Sequence, residues 1–158
     1  MRRFLLASAV AAIACGSPAF AQDNAERIAA AALEAAPVWD GHNDVPIQLR
    51  SRVGNVINDF DFRDTLDTAS ADHSAMHSDL IGLKQGKVGA QWWSVYVSAN
   101  LSEPEAVQAT IEQIDVTKRL IARYPDDMQL ALSADEVEES MAAGRIASLI
   151  GMDGGHSI

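Results

Sequence analysis

Cysteine is almost missing from this chain: Cys15 is the only one, so no intrachain disulfide can form. Positive charge is scarce as well. Twelve Lys and Arg stand against 22 Asp and Glu, a formal charge of −10. That balance argues against a nucleic-acid-binding surface and suits a soluble enzyme or a binder of divalent cations, although a solvated acidic surface accounts for much of it. The apolar run from Phe4 to Ala14 is too short to span a bilayer as a resident helix. No Gly-rich phosphate loop, no nucleophilic Ser or Cys arrangement, no basic-aromatic stripe and no internal repeat is present. What these absences leave is one domain of ordinary size, with 158 residues of which 48% are hydrophobic and 22% charged.

The first 21 residues read as a signal peptide. Arg2 and Arg3 make a basic start, the apolar run follows, and Ala19-Phe20-Ala21 places small residues where a signal peptidase cuts. Cleavage after Ala21 removes Cys15 and leaves a mature domain over 22–158, with ten basic residues against 22 acidic ones and a formal charge of −12. Acylation of Cys15 as a lipoprotein anchor is the alternative. The expectation is an exported protein, periplasmic or secreted, with no transmembrane helix once the signal is gone.

Asp23 to Ala36 reads as a helix, capped by Asp23 with Glu26 three residues on and stopped by Pro37. Val38–Asp44 reads as a short strand, and Arg50–Gln85 as a long polar connection with some helix. Lys87–Ala99, "KVGAQWWSVYVSA", is a strand with no charge on either face after Lys87, which predicts cover on both sides as in a parallel sheet. Ser102 with Glu105 is a capping box that opens a helix with Val107, Ile111, Ile114 and Ile121 along its apolar stripe, ending near Tyr124-Pro125. Met128–Ser133 is a short strand, Ser133 with Glu136 opens another helix that Gly144 closes, and "RIASLIGMDGG" is a buried strand ending at Asp153. Alternating strands and helices of this kind make an α/β fold. A (β/α)₈ barrel needs about 250 residues, so the pattern fits the first part of one, with a strand rather than a covering helix at its end.

Residues i and i+2 of a strand share a face, so His42 and Asp44 are placed side by side, and Asp153 ends a different buried strand in the same manner. An imidazole with carboxylates is a donor set that Zn²⁺ accepts. Spacing alone favours a hydrogen-bonded His–Asp pair or a turn over a metal site. His73 and His77 are spaced i, i+4, a zinc spacing if helical, but no Glu accompanies them and a solvated or capping role is the plainer reading. His156 follows two glycines and reads as a hydrogen-bonded structural histidine. Trp92 and Trp93 read as packing, and the acidic "DFDFRD" lacks the spacing and glycine of a calcium loop.

"WDGHNDVPIQLR", "HSDLIGLKQGKVGAQWWSVYVSA" and "GRIASLIGMDGGHSI" resemble, in order and spacing, the membrane dipeptidase family, also called renal dipeptidase or peptidase family M19, from Val38 to Ile158. The resemblance implies the N-terminal portion of a TIM-like (β/α)₈ metallohydrolase barrel, a dipeptide substrate and two Zn²⁺ ions. His42 and Asp44 match the family's ligands to the first zinc, and Asp153 matches the carboxylate that bridges the two. That residue is usually Glu; Asp is one methylene shorter and reaches about 1.5 Å less far. The implied mechanism is hydrolytic, with a bridging hydroxide attacking the peptide carbonyl and a carboxylic acid passing the proton to the leaving amine. The remaining ligands and the catalytic acid lie beyond Ile158 in the family, so this chain alone would hold half a site and be inactive. A related hydrolase acting on another amide, lactone or β-lactam, and a non-catalytic periplasmic protein on a decayed barrel, are the rival expectations. Homodimerisation stays open.

Overall fold

The computed structural model describes residues 18–157, with side chains from Asp23 onward. The described chain divides at Ala32: the first unit holds most of helix α1, Pro18–Ala35, and the second begins at Leu33. Helix α1 starts at Pro18, whose preset φ suits a first helical turn, so Asp23 lies inside the helix instead of capping it. The basic start, the apolar run and Cys15 lie outside the described residues. No described helix is long and apolar enough to cross a membrane.

The second unit is an α/β fold. Strand β1 spans Val38–Asn43, followed by helices α2 (Val45–Val53) and α3 (Leu80–Gln85), strand β2 (Val88–Tyr96), helix α4 (Glu103–Arg123), strand β3 (Met128–Leu130), helix α5 (Ala134–Ala142), strand β4 (Ile146–Asp153) and a 3₁₀ turn, Gly155–Ser157. The four strands are all parallel, in the order β1-β2-β4-β3. Strand β3 is too short to line all of β4 and pairs only with Ile146–Ser148, at its start.

Helix α2 is an addition to the sequence reading, and its last residues fall where an irregular connection was expected. Pro46 sits in its first turn, and Gly54, at φ +58°, supplies the left-handed residue that ends it. Only Val45, Pro46 and Leu49 of its nine residues are buried, too few to make a periodic apolar pattern. Both predicted N-caps form, although Glu136 reaches past Ser133 to accept the Leu132 N–H at 2.6 Å, so that only the first is a reciprocal box. The Ser102 N–H donates to Glu105 Oε2 at 2.9 Å, and Ser133 Oγ accepts from the Glu136 N–H at 3.2 Å.

The buried stripe of α4 matches the expected one at Ile121 but not in its first half. Val107 and Ile111 face solvent, whereas Ala106, Ala109, Thr110, Gln113, Val116, Thr117, Leu120 and Ile121 are buried. Threonine can occupy this face because its hydroxyl is satisfied within the helix: Thr110 donates to Ala106 O at 2.8 Å and Thr117 to Gln113 O at 2.7 Å. Small and self-bonded side chains let the helix lie close to the sheet, a reason that hydropathy does not register.

Strand β2 is covered completely on one face only. Gln91, Trp93, Val95 and Val97 are buried, with Trp93 in the main core among Val45, Leu49, Val116 and Leu120 of α2 and α4. On the other face, Val137 of α5 packs on Ala90 and Ala147, but Trp92 and Tyr96 remain exposed. A helix of nine residues is about 13 Å long and a strand of nine is about 30 Å, so α5 reaches along only half of it. The expectation of cover on both faces therefore holds for the first half of the strand and fails at its C-terminal end.

The acidic loop between α2 and α3 contributes to the core. Phe60 and Phe62 of "DFDFRD" turn inward, Phe62 edge-on to Trp93 at 6.0 Å, while Asp61 and Asp64 accept the Arg63 and Leu66 N–H groups. Buried Tyr124 ties the loop down: its hydroxyl accepts from the Phe62 N–H at 2.8 Å and donates to Asp61 Oδ1 at 3.2 Å. The Arg63 N–H, and after it Tyr124 and the charges of Arg63 and Arg123, hold the Asp61 carboxyl below the usual carboxylate range, against an opposing effect of burial. A carboxyl with a lowered folded-state pKa adds stability that is complete above its unfolded pKa and is lost as pH falls through the folded one.

Replacing Tyr124→Phe leaves the Phe62 N–H buried without an acceptor. It should lower stability by about 1–3 kcal/mol in urea titrations at neutral pH, and a loss well under that range would show that the hydroxyl does not hold the loop.

Candidate metal centre

The site forms where β1 and β4 end. Strand β1 pairs with β2 through Asp40↔Gln91 and then Asn43↔Trp93, so three steps along β1 answer two along β2. An extra residue of this kind is a bulge, and it reverses which side the following side chains take. Regular pairing would put His42 opposite Trp93, on the helix-covered face. The slip gives that place to Asn43 and turns His42 to the open face, where it lines a cleft with Trp92, Ser94, Gly151 and Asp153. The Asp40 carboxylate supports the bulge by accepting the His42 N–H at 3.1 Å.

Asp44 does not share a strand face with His42, as i, i+2 spacing predicts, because the strand has already ended. Asp44 occupies the N-cap position of α2 with φ −85° and ψ 16°. The two side chains still meet: His42 Nε2 lies 3.2 Å from Asp44 Oδ1. Asp153 arrives from the end of β4, opposite Tyr96, with Ser94 Oγ donating to its Oδ2 at 3.3 Å. His42, Asp44 and Asp153 each bring one donor atom to within 4.8 Å of the others, and among the described residues no further group of three His, Cys, Asp or Glu does so.

Bonds of about 2.0–2.2 Å to a common ion separate its donors by roughly 3–4.4 Å. The 3.2 Å between His42 and Asp44 falls in that range, and 4.8 Å asks for an inward shift of a few tenths of an ångström at most. One imidazole and two carboxylates, two of the three side chains more than half exposed, are a donor set that an ion can reach from solvent. Without an ion the same contact is a hydrogen bond between His42 and Asp44. Even with its shorter side chain, Asp153 reaches the group.

The other histidines stand apart. Residues 70–79 are not helical, so the i, i+4 spacing of His73 and His77 does not put them on one face. His77 lines a separate cleft of about 300 Å³ with Asp44, Gln48 and Arg52. Asp79 is a helix cap that accepts from the Gly82 N–H at 2.7 Å, as a structural reading of "HSD" requires. His156 donates from Nε2 to Val97 O at 2.8 Å and meets Tyr96 edge-on at 6.3 Å, a structural histidine rather than a ligand.

The family resemblance singles out the three acid and base groups but not what holds them. Asn43, Gln91, Asp40 and Ser94 all bond within or beside the site. An uncharged amide inside a buried strand, Gln91, is the one local sign of them in the sequence.

The family model for membrane dipeptidase (peptidase family M19) matches residues 26–158. Dipeptidase 3 of Macaca fascicularis is 38% identical over 122 residues, which are 77% of this chain and 22% of that protein. Dipeptidase verJ of Clonostachys rogersoniana is 38% identical over 132 residues, 77% of this chain and 32% of that protein. The chain thus spans between about a fifth and a third of the length of these curated relatives. Among solved structures, a metallo peptidase from Rhodobacter sphaeroides, liganded with a phosphinate mimic of the dipeptide L-Ala-D-Ala, superposes with a TM-score of 0.61 at 18% identity, covering 77% of this chain and 39% of that one. The dipeptidase AC, a metallo peptidase of family M19, gives a TM-score of 0.53 at 23% identity over 77% and 36% of the two chains. At such identities these two likenesses speak for the fold.

Gly154, between β4 and the 3₁₀ turn, has φ +95°, and a Cβ there would sit 2.5 Å from the His156 ring. Gly154→Ala should therefore cost more than about 1 kcal/mol in a denaturant titration, and a neutral result would show that the turn after Asp153 is not held as described.

Proposed function

The chain belongs to the membrane dipeptidase family, peptidase family M19, and from that premise we propose that it carries the first ligands of a metal-dependent dipeptidase: His42, Asp44 and Asp153. The observation that carries this reading is the convergence of one imidazole and two carboxylates, from two strand ends, within 4.8 Å. Zinc is the ion of choice, since it takes nitrogen and oxygen donors together and four-coordinate sites of this composition suit it. Two ions are proposed, the second sharing Asp153, with further ligands from outside the described residues.

When bound, the metal supplies Lewis acidity for the scissile carbonyl and lowers the pKa of water. The chain's own residues prepare the place. His42 presents Nε2, the atom nearest Asp44, as its donor, and ligation there requires the neutral ring. Ser94 donates to Oδ2 of Asp153 and so restrains the rotation of a carboxylate that would hold the ion. Trp92 and Met152 flank the cleft with apolar surface against which a dipeptide side chain can lie. Its free amine and carboxylate would need partners from the rest of a complete barrel, so hydrolysis is proposed for the whole enzyme. Arg2, Arg3, the apolar run and Ala19-Phe20-Ala21 support export with a mature domain from residue 22.

The full-length protein should contain about two zinc ions by elemental analysis and release free amino acids from dipeptides, with activity lost to a chelator and restored by Zn²⁺. Substrates blocked at the amine or the carboxylate should resist it. The double substitution His42→Ala with Asp44→Ala should reduce turnover more than about a hundredfold. Normal hydrolysis by that variant would end the assignment, and cleavage of a lactone or β-lactam in preference to dipeptides would move the activity to a neighbouring class.

A further inference from the structure

Asn43 stands between two of the three groups just described, yet points away from both. Its side chain lies on the helix-covered face of the sheet, where Nδ2 donates to Ser78 Oγ at 3.1 Å and to Gln91 Oε1 at 3.4 Å. Its Oδ1 accepts the Val45 N–H at 3.2 Å. Gln91 is fully buried and is itself fastened, through Nε2 donating to Trp92 O at 3.1 Å. The carboxamide of Asn43 is therefore gripped at one end by two neighbours distant in sequence and at the other by the backbone of the next turn.

Each end has a consequence for the metal centre. Holding Nδ2 on the Gln91 side keeps Asn43, rather than His42, opposite Trp93, and so sustains the bulge that delivers the imidazole to the open face. Accepting the Val45 N–H closes an Asx turn, which stops β1 and swings Asp44 out of the strand into the cap position beside His42. An extended backbone through Asn43 and Asp44 would keep both ligands on one face but about 6.6–6.8 Å apart along the strand, whereas the turn brings His42 Nε2 and Asp44 Oδ1 to 3.2 Å. We infer that Asn43 is the positioning residue of this site, setting the His42–Asp44 pair through the Ser78 and Gln91 contacts without touching the ion or substrate. The inference rests on the proposed metal site.

Cobalt(II) titration of the full-length apoprotein, followed by the visible absorption of the bound ion, tests it. Asn43→Ala should weaken cobalt binding about tenfold to a hundredfold and alter the absorption band, as loss of groups that orient ligands does. Asn43→Ser, which restores a short acceptor for the Val45 N–H, should recover part of that loss. Should Asn43→Ala fail to fold, Gln91→Met removes the acceptor of the Asn43 amide at nearly constant shape, and a weakening of several-fold is expected there. His42→Ala serves as the reference. If it abolishes binding while Asn43→Ala, or Gln91→Met in its place, binds cobalt like the wild type with an unchanged band, the positioning role is wrong and the metal site stands. If His42→Ala itself binds cobalt normally, the metal site is wrong and the positioning role falls with it.

Discussion

Between Asp40 and Asn43, strand β1 advances three residues while β2 advances two, and the placement of the whole site follows from that mismatch. A parallel sheet covered by helices has an inside for large apolar groups such as Trp93 and nowhere on that side for a solvated imidazole. The bulge hands the buried position to an amide that can be fully bonded there and releases His42 to water. Turning His42 inward in place of Asn43 would put a ring that must remain accessible to an ion beside Ser78 and Gln91, on the helix-covered face. The desolvation of that ring, and the loss of the Asn43–Gln91 contact, work against the regular register.

Several polar groups inside this fold are tolerated because each of them is hydrogen-bonded where it is buried. Thr110 and Thr117 bond to their own helix, Tyr124 bonds at both ends of its hydroxyl, and Gln91 is held by backbone and by Asn43. The same rule explains the acidic loop. Asp61 and Asp64 close turns by accepting backbone N–H groups, and Phe60 and Phe62 enter the core beside them. A segment that looks like a charged surface loop in composition is thus part of what supports Trp93 from behind, and Trp93 lies on the strand against which the site is built.

Much of the architecture was legible from short-range pattern. Uncharged runs, capping boxes and helix stops located β2, α4, α5 and β4 closely, because caps and breakers act within one turn of the residue that carries them. The failures have a common cause. The stripe of α4 was sought among Val107, Ile111, Ile114 and Ile121, of which Ile121 is buried, but toward the start of the helix close approach to the sheet selected Ala106, Ala109 and Thr110. Helix α2 escaped notice because few of its positions are buried, and the faces of β1 were assigned by strict alternation across a strand that is not regular.

The amino-acid sequence by itself determined the α/β alternation and the strand-end locations of His42 and Asp153, since these depend on residue type and local periodicity, while the choice of the three candidate ligands rested on the resemblance to the family. Only the tertiary structure decided that His42 faces the open side, that Asp44 joins it from a helix cap and that Asn43 holds the turn between them. Those outcomes are set by pairing with Gln91 and packing under Trp93, partners some fifty residues away, and no local rule carries the register of a bulge across that distance.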